Sequence, residues 1–97
     1  MATITAGDFE WHDRKAATNL TDHDVSFEEA AVALADPNSY DFDDLADPTR
    51  MASIALNPMT GVLYVVTTEG SEQRTRIISA RKAHAHEQRK YTEGLRR

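Results

Sequence analysis

The predicted fold is decided by the stretch Arg76-Ile77-Ile78-Ser79-Ala80-Arg81-Lys82-Ala83, which reads as a strand that passes directly into a helix. Ile77 and Ile78 are β-branched and favour a pleated, half-buried backbone. Arg76 and Arg81 bracket them, and a guanidinium held at a rigid strand end is well placed to bind a phosphate or a carboxylate at two points. The alternative interpretation of Arg76 is a solvated edge residue that deters aggregation.

Turn and cap signals divide the rest of the chain into an ordered series of elements. Ser26 and Glu29 have the spacing of a capping box, and Pro37 ends the helix that they begin. After a flexible leader over residues 1–8, the sequence predicts helices over 13–20 and 27–36, strands over 40–43, 50–56, 62–69 and 74–80, and a helix over 82–93.

This order predicts an α+β fold for a single domain over residues 9–97. Two N-terminal helices and one C-terminal helix are expected to pack on an antiparallel meander sheet of about four strands. The three strands after residue 49 are joined by short turns, which favours pairing between neighbours in the sequence.

Composition places the chain among globular proteins with one modest core. Its 97 residues are 40% hydrophobic and 28% charged, and the longest apolar run, Val62–Val66, is far shorter than a membrane span. The first seven residues have neither the basic flank nor the apolar segment of a signal peptide. Because the chain has no cysteine, disulfides and thiolate chemistry are excluded, and a cytoplasmic location is expected.

The formal net charge of −5 hides an asymmetry between the two halves of the chain. Residues 1–48 contain twelve acidic and two basic side chains, whereas residues 49–97 contain nine basic and four acidic ones. This pattern is typical of a protein with a basic binding surface and a separate acidic face, or of two halves that attract each other after folding. The acidic total argues against tight non-specific binding to nucleic acid.

Two separated blocks of sequence resemble the BrnT family of toxins. The first block comprises Phe9-Glu10-Trp11-His12-Asp13-Arg14-Lys15, Asn19-Leu20, His23 and Val25-Ser26-Phe27-Glu28-Glu29-Ala30. The second comprises Thr68-Glu69-Gly70, the opening stretch over 76–83, Glu87 and Tyr91. The resemblance therefore covers residues 9–93, with both blocks in the family's order.

The resemblance implies a RelE-like ribonuclease fold and the role of a toxin in a type II toxin–antitoxin system. It further implies RNA cleavage without a metal or cofactor, inhibition of translation, and neutralisation by a BrnA-like antitoxin with a ribbon-helix-helix part. RNA is then the substrate, DNA is reached only through the antitoxin, and no membrane partner is expected. The residues themselves contain no nucleotide-binding loop and no zinc-ligand spacing.

Cleaving RNA without a metal requires a base for the 2′-hydroxyl, an acid for the leaving oxygen and cations for the phosphate. We expect the catalytic residues to be Glu69, Arg76, Arg81 and Tyr91. Arg76 and Arg81 are five residues apart, so they project to opposite faces of a regular strand unless the strand-to-helix corner brings Arg81 round. Glu69 has a second interpretation as a hairpin-end carboxylate paired with an arginine. Tyr91 has a second interpretation as a core residue.

The remaining candidates bind substrate or support the site. Residues expected to bind RNA are Lys15, His23, Arg74 and Lys82. A solvated helix lysine is nevertheless the default interpretation of Lys15, and a loop histidine that ties two helices together is an equally open interpretation of His23. Glu87 recurs with Ala83 and Tyr91 on the face of the last helix that meets the sheet, so its carboxylate needs a partner there. We expect Glu87 to orient one of the strand arginines.

A second function remains open at this point. Compared with the family pattern, Asp22 stands before His23 where a basic residue is common, and Asp24 stands where a glycine is common, which reduces the cationic character of the expected site. The alternative is a weakly active or inactive protein-binding module of the same fold, which acts through its complex with the antitoxin and through autoregulation.

Overall fold

The computed structural model describes residues 2–96 and shows an α+β fold built on one six-stranded sheet. In chain order the elements are β1 (Thr3–Ala6), β2 (Phe9–His12), α1 (Asp13–His23), α2 (Phe27–Leu34), β3 (Tyr40–Asp43), β4 (Arg50–Asn57), β5 (Gly61–Glu69), β6 (Thr75–Lys82) and α3 (Ala85–Leu95). The ends of the predicted ranges 1–8 and 9–97, Met1 and Arg97, lie outside the described residues.

The sheet has the strand order β1-β2-β6-β5-β4-β3. The chain-sequential pairs are antiparallel, as predicted, but β2 runs parallel to β6, so the prediction of a purely antiparallel meander of four strands is wrong. The expected leader also needs correction, because Thr3–Ala6 form β1 and pair with β2 across a two-residue turn. Gly7 provides the positive φ of +58° that this turn requires.

The predicted helices are confirmed with shifted ends. Ser26 and Glu29 form the expected capping box at the start of α2. α1 continues to His23, and its Leu20 is 48% exposed rather than part of the core. α3 begins only at Ala85, because residues up to 82 still belong to β6, and Gly94 lies inside the helix.

The hydrophobic core lies between the sheet and the pair α1 and α2. Trp11 and Phe27 are buried in edge-to-face contact at its centre, with ring centroids 6.1 Å apart. The core is completed by Val25, Ala30, Ala33, Ala55, Leu63, Val65, Ile77 and Ala80. We call this side of the sheet the helix face; α3 packs on β3 and β4 from the opposite side.

A β-bulge in β6 changes which way its arginines point. Thr67 on β5 lies opposite Ile77, and the preceding Val66 lies opposite Ser79, so Ile78 is an extra residue in β6. Residues directly opposite each other in an antiparallel pair project from the same face of the sheet. The bulge therefore restores Arg76 and Arg81 to one face, which the regular strand spacing did not predict.

Asn19 closes the edge of β6 beyond the short β2 strand. Its side-chain Nδ2 donates to the carbonyls of Ala80 at 2.8 Å and Val25 at 2.9 Å, and its Oδ1 accepts from the Ala80 amide at 3.1 Å. The carboxamide thus takes the place of a neighbouring strand and holds α1 against β6.

We predict that Asn19→Ala destabilises the protein by on the order of 3 kcal/mol, because three buried hydrogen bonds are lost and their backbone groups stay buried. Urea unfolding measures this change. Thr18→Ala, on the exposed side of the same helix, is the control and changes the free energy of unfolding by less than about 0.5 kcal/mol. A loss for Asn19→Ala no larger than that of the control contradicts the prediction.

Candidate functional site

Three arginines project from the side of the sheet that faces away from α1 and α2. Arg76 on β6 and Arg50 on β4 both lie opposite Thr68 on β5, and Arg81 lies opposite Tyr64. Neighbouring strands are separated by about 5 Å, so Arg50 and Arg76 are about 10 Å apart across the sheet. We call this surface, defined by Arg50, Arg76 and Arg81, the arginine face.

Arg76 is held by a buried carboxylate on β2. Glu10 lies beside Arg76 in the short parallel pair, is 0% exposed, and accepts a hydrogen bond from the guanidinium Nη2. The Arg76 side chain itself remains 24% exposed. Because one carboxylate oxygen contacts only one nitrogen of the guanidinium, Arg76 keeps further N–H donors for a ligand.

The other oxygen of Glu10 fixes the turn between β5 and β6. Its Oε1 accepts from the backbone amide of Ser71 at 3.0 Å and from the Ser71 hydroxyl at 2.6 Å. These bonds, led by the Ser71 hydroxyl, lower the pKa of Glu10 against the effect of burial, and Arg76 acts in the same direction. Glu10 is therefore an ionised anchor that joins β2, the turn and Arg76 rather than a proton acceptor.

Gly70 leaves the space that this anchor occupies. A Cβ at Gly70 would lie 2.8 Å from the Glu10 carboxyl carbon and 2.9 Å from the Arg74 carbonyl oxygen. Glycine is thus required here by close packing.

Arg81 is bound more completely than Arg76. Its two terminal nitrogens form a two-point ion pair with Glu87 on α3, at 2.8 and 2.9 Å, and its guanidinium carbon lies 4.2 Å from the centre of the Tyr64 ring. Glu87 also accepts from the His84 amide at 2.7 Å. The contact expected of Glu87 is present, and it joins β6 to the start of α3.

Partly exposed aromatic rings continue the arginine face toward β3. The Phe42 ring lies 6.1 Å from that of Tyr64 and 5.8 Å from that of Tyr40, in tilted edge contacts. The Arg81 guanidinium in turn stacks on the Tyr64 ring. Cations interleaved with aromatic rings are the side chains that bind phosphates and stack on unpaired bases.

The structure does not bring the four expected catalytic residues together. Glu69 follows Thr68 directly on β5, so it projects to the helix face, opposite Arg76 and Arg81. It lies five residues along β5 from the partner of Arg81, about 17 Å away. Its expected pairing with a cross-strand arginine is also not seen, since its register partner is Thr75.

Tyr91 is 5% exposed, and its hydroxyl donates to Asp36. Burial and the Asp36 carboxylate raise the pKa of Tyr91 to about 12, so it is a poor general acid near neutral pH. This environment agrees with the alternative interpretation of Tyr91 as a core residue, and the geometry does not favour its expected catalytic role.

The expected RNA-binding residues lie in three separate places. Arg74 belongs to the turn before β6 rather than to the strand, and it pairs with Glu72 at 3.2 Å. Lys15 and His23 are exposed on α1 and line a cleft whose other wall includes Ser79, between the two arginines of β6. Lys82 is exposed at the end of β6.

Sequence reasoning missed Glu10, Arg50, Phe42 and Tyr64 as members of the site. Glu10 could have been found from the alternation in Phe9-Glu10-Trp11-His12, which places an acid between two aromatics on a strand. Arg50 and Phe42 carried no such signal, because their position depends on cross-strand register.

Within residues 2–96, no group of three His, Asp or Glu side chains is arranged to hold a metal ion. In that same range, no helix has the length and apolar character to cross a membrane.

Comparison with known proteins identifies the family to which this chain belongs. Residues 11–87 match the model of the protein family described as "Ribonuclease toxin, BrnT, of type II toxin-antitoxin system". The fold is similar to the 1.1 Å crystal structure of the Brucella abortus ribonuclease toxin BrnT, with a TM-score of 0.62 and 20% sequence identity over 76% of this chain and 92% of that chain. No curated protein matches the chain.

The sequence match places the chain in a family of ribonuclease toxins of type II toxin–antitoxin systems, and the fold agrees with it. The chain belongs to the BrnT family, as the two sequence blocks predicted.

The ion pair of Glu87 predicts an acid-dependent loss of stability. Hydrogen bonds from Arg81 and the His84 amide lower the pKa of Glu87 to about 2, against its ordinary 4.5. Because the folded-state pKa is the lower one, the stabilisation is complete above about pH 4.5 and disappears as the pH falls toward 2. We predict that Glu87→Gln lowers the free energy of unfolding at pH 7 by on the order of 2–3 kcal/mol and flattens its pH dependence over this window.

Unfolding curves of Glu87→Gln at several pH values make this measurement, with Glu93→Gln at an exposed position of α3 as the control. An unchanged melting temperature for Glu87→Gln rejects the stabilising role of the pair.

Gly70 offers a steric test of the Glu10 anchor. Gly70→Ala should destabilise the protein by about 2 kcal/mol, since the new methyl group meets Glu10 and a backbone oxygen. Gly94→Ala, where nothing lies within 4 Å, should instead stabilise α3 by up to about 1 kcal/mol. Calorimetry that shows equal melting temperatures for the two variants contradicts the packing described for Gly70.

Proposed function

We propose that this protein is an endoribonuclease toxin that cleaves RNA without a metal ion, inhibits translation and is neutralised by a BrnA-like ribbon-helix-helix antitoxin. The observation that supports the cleavage step is the arrangement of Arg76. It is a partly exposed guanidinium in a row with Thr68 and Arg50, and a buried carboxylate orients it without using all its donors.

Arg76 supplies electrostatic stabilisation in this mechanism. The 2′-oxygen of RNA attacks the adjacent phosphorus and the P–O5′ bond breaks, giving a 2′,3′-cyclic phosphate and a 5′-hydroxyl; water takes the 2′-hydroxyl proton and supplies one to the leaving 5′-oxygen. In this step negative charge increases on the non-bridging phosphate oxygens. The unoccupied N–H donors of Arg76 are positioned to receive that charge, and the fixed Glu10 carboxylate keeps the guanidinium from reorienting. Arg50 and the aromatic rings of Phe42 and Tyr64 hold the flanking nucleotides on the same face.

Arg81 has a different part in this proposal. Its two-point pair with Glu87 and its stacking on Tyr64 leave it few donors, so we assign it to holding α3 and the Tyr64 ring in place. Loss of Arg81 then lowers stability together with activity.

The alternative function is a catalytically weak protein-binding module that acts through its antitoxin complex. The separation of Glu69 and Tyr91 from the arginine face favours it, because neither group is placed to transfer a proton at Arg76. The two functions differ in the behaviour of the purified protein without its partner.

The proposed ribonuclease activity predicts that purified protein cleaves a mixed-sequence RNA equally well with and without EDTA. Arg76→Ala should slow cleavage by about 100-fold or more, because a preorganised charge donor is removed. Arg89→Ala, an exposed arginine on α3, is the matched control and keeps the wild-type rate. Melting curves confirm that both variants are folded.

No cleavage by partner-free wild-type protein at any salt concentration rejects the enzyme and favours the binding module. Cleavage that EDTA abolishes rejects metal independence alone. Growth arrest on expression, reversed by co-expression of a ribbon-helix-helix protein, tests the toxin–antitoxin pairing.

A further inference from the structure

A cleft at the end of the sheet is separate from the arginine pair on β6. It has a volume of about 640 Å³ and is formed around the ends of β4, β5 and β6. We call it the sheet-end cleft; the residues used below are Arg50, Met51, Thr68, Glu69, Gln73 and Arg74. Its size is within the range of small-ligand sites.

The side chains of this cleft combine hydrogen-bond donors and acceptors with an apolar surface. Arg74 and Gln73 supply donors, Glu69 supplies an acceptor, and the 42% exposed Met51 supplies apolar area. Among the described residues Arg74 pairs with Glu72, whose side chain is 79% exposed, so that ion pair is weak and can be exchanged for a ligand.

Backbone strain gives an independent reason to regard this cleft as functional. Glu72 and Gln73 have positive φ values of 53° and 66°, and the Arg74 amide donates to the Ser71 carbonyl at 2.9 Å. This is a type I′ turn, for which Asn-Gly is strongly preferred over Glu-Gln. Strained backbone is retained mainly where it positions functional side chains.

The strained turn is also fixed to the arginine face. Ser71, its first residue, is bound by the same Glu10 carboxylate that holds Arg76. Thr68 lines the cleft and lies directly opposite Arg76, one strand spacing of about 5 Å away. A nucleotide in the cleft would therefore be the immediate neighbour of a phosphate at Arg76.

We propose that the sheet-end cleft binds a purine base of the RNA, with guanine preferred. Guanine presents O6 and N7 acceptors, which match the two-pronged donor set of an arginine, here Arg74. Its N1–H and amino donors match a carboxylate, here Glu69, while Met51 contacts the ring. Arg50 lies at the border of the cleft and the arginine face; its Nε pairs with Asp47 at 3.3 Å, and its other N–H donors would bind the adjoining phosphate.

This inference rests on the proposed function and gives Glu69 a new role in base recognition instead of proton transfer. It also explains why Glu69 lies on the opposite side of the sheet from Arg76 without being distant from the path of the RNA. Pyrimidines offer the cleft fewer matched groups, because they have no N7 acceptor and a smaller ring.

The test is a titration of the full-length protein with 5′-GMP, 5′-AMP, 5′-CMP and 5′-UMP, followed by NMR or calorimetry. We expect GMP to bind about tenfold more tightly than CMP or UMP, because one good two-point hydrogen-bonded contact discriminates between bases by about that factor. Glu69→Gln should reduce this preference to about threefold or less, whereas Glu93→Gln on α3 should retain it. Glu69 is exposed, so its substitution leaves the fold intact.

The same variants are then compared for the bases found beside their cleavage sites in a random RNA pool. A guanine preference that weakens in Glu69→Gln supports the inference. Equal affinity for all four nucleotides, or no binding, overturns it even if RNA is cleaved. Conversely, discrimination between nucleotides by a protein that cleaves no RNA rejects the proposed function while supporting the base site.

A protein ligand for the cleft is a distinguishable outcome. If Glu69→Gln weakens binding of the antitoxin but leaves every nucleotide affinity unchanged, the cleft is a partner-binding site and the inference is overturned.

Discussion

The site depends on one buried carboxylate, that of Glu10. A fully buried anion is costly unless its oxygens are satisfied, and here Ser71 and Arg76 together satisfy them. The same interaction joins three parts of the chain that are distant in sequence: the short strand β2, the turn between β5 and β6, and the arginine of the proposed cleavage site. Gly70 is required because any larger residue would displace this carboxylate.

A second constraint acts along β6 itself. The extra residue at Ile78 makes Arg76 and Arg81 project from one face, although five residues separate them. Their surroundings nevertheless differ, because Arg81 is paired at two points with Glu87 and stacked on Tyr64, whereas Arg76, within residues 2–96, has a single carboxylate contact. Two arginines in one sequence motif thus have different proposed roles, one in charge stabilisation and one in holding α3.

Local patterns predicted much of the fold. Capping and proline signals predicted α2, the alternation of apolar and acidic residues predicted β3, and apolar segments between turn signals predicted β4 to β6, because these elements are determined by residues close together in the sequence. The parallel contact of β2 with β6 could not be predicted, since it joins Glu10 to a residue 66 positions away. The same holds for the site: Glu87 follows from helix periodicity, whereas the placement of Glu69 depends on strand register, and that of Arg81 beside Arg76 depends on a bulge that leaves no clear local signal.

The central claim, that Glu10 acts by holding Arg76 for RNA cleavage, is tested most directly by a double-mutant cycle in single-turnover cleavage. Glu10→Gln, Arg76→Ala and the double variant are compared with wild-type protein, with folding checked by thermal unfolding. We expect Glu10→Gln to slow cleavage, and the double variant to be no slower than Arg76→Ala alone. Multiplicative effects of the two substitutions, or a wild-type rate in folded Glu10→Gln, would contradict the claim.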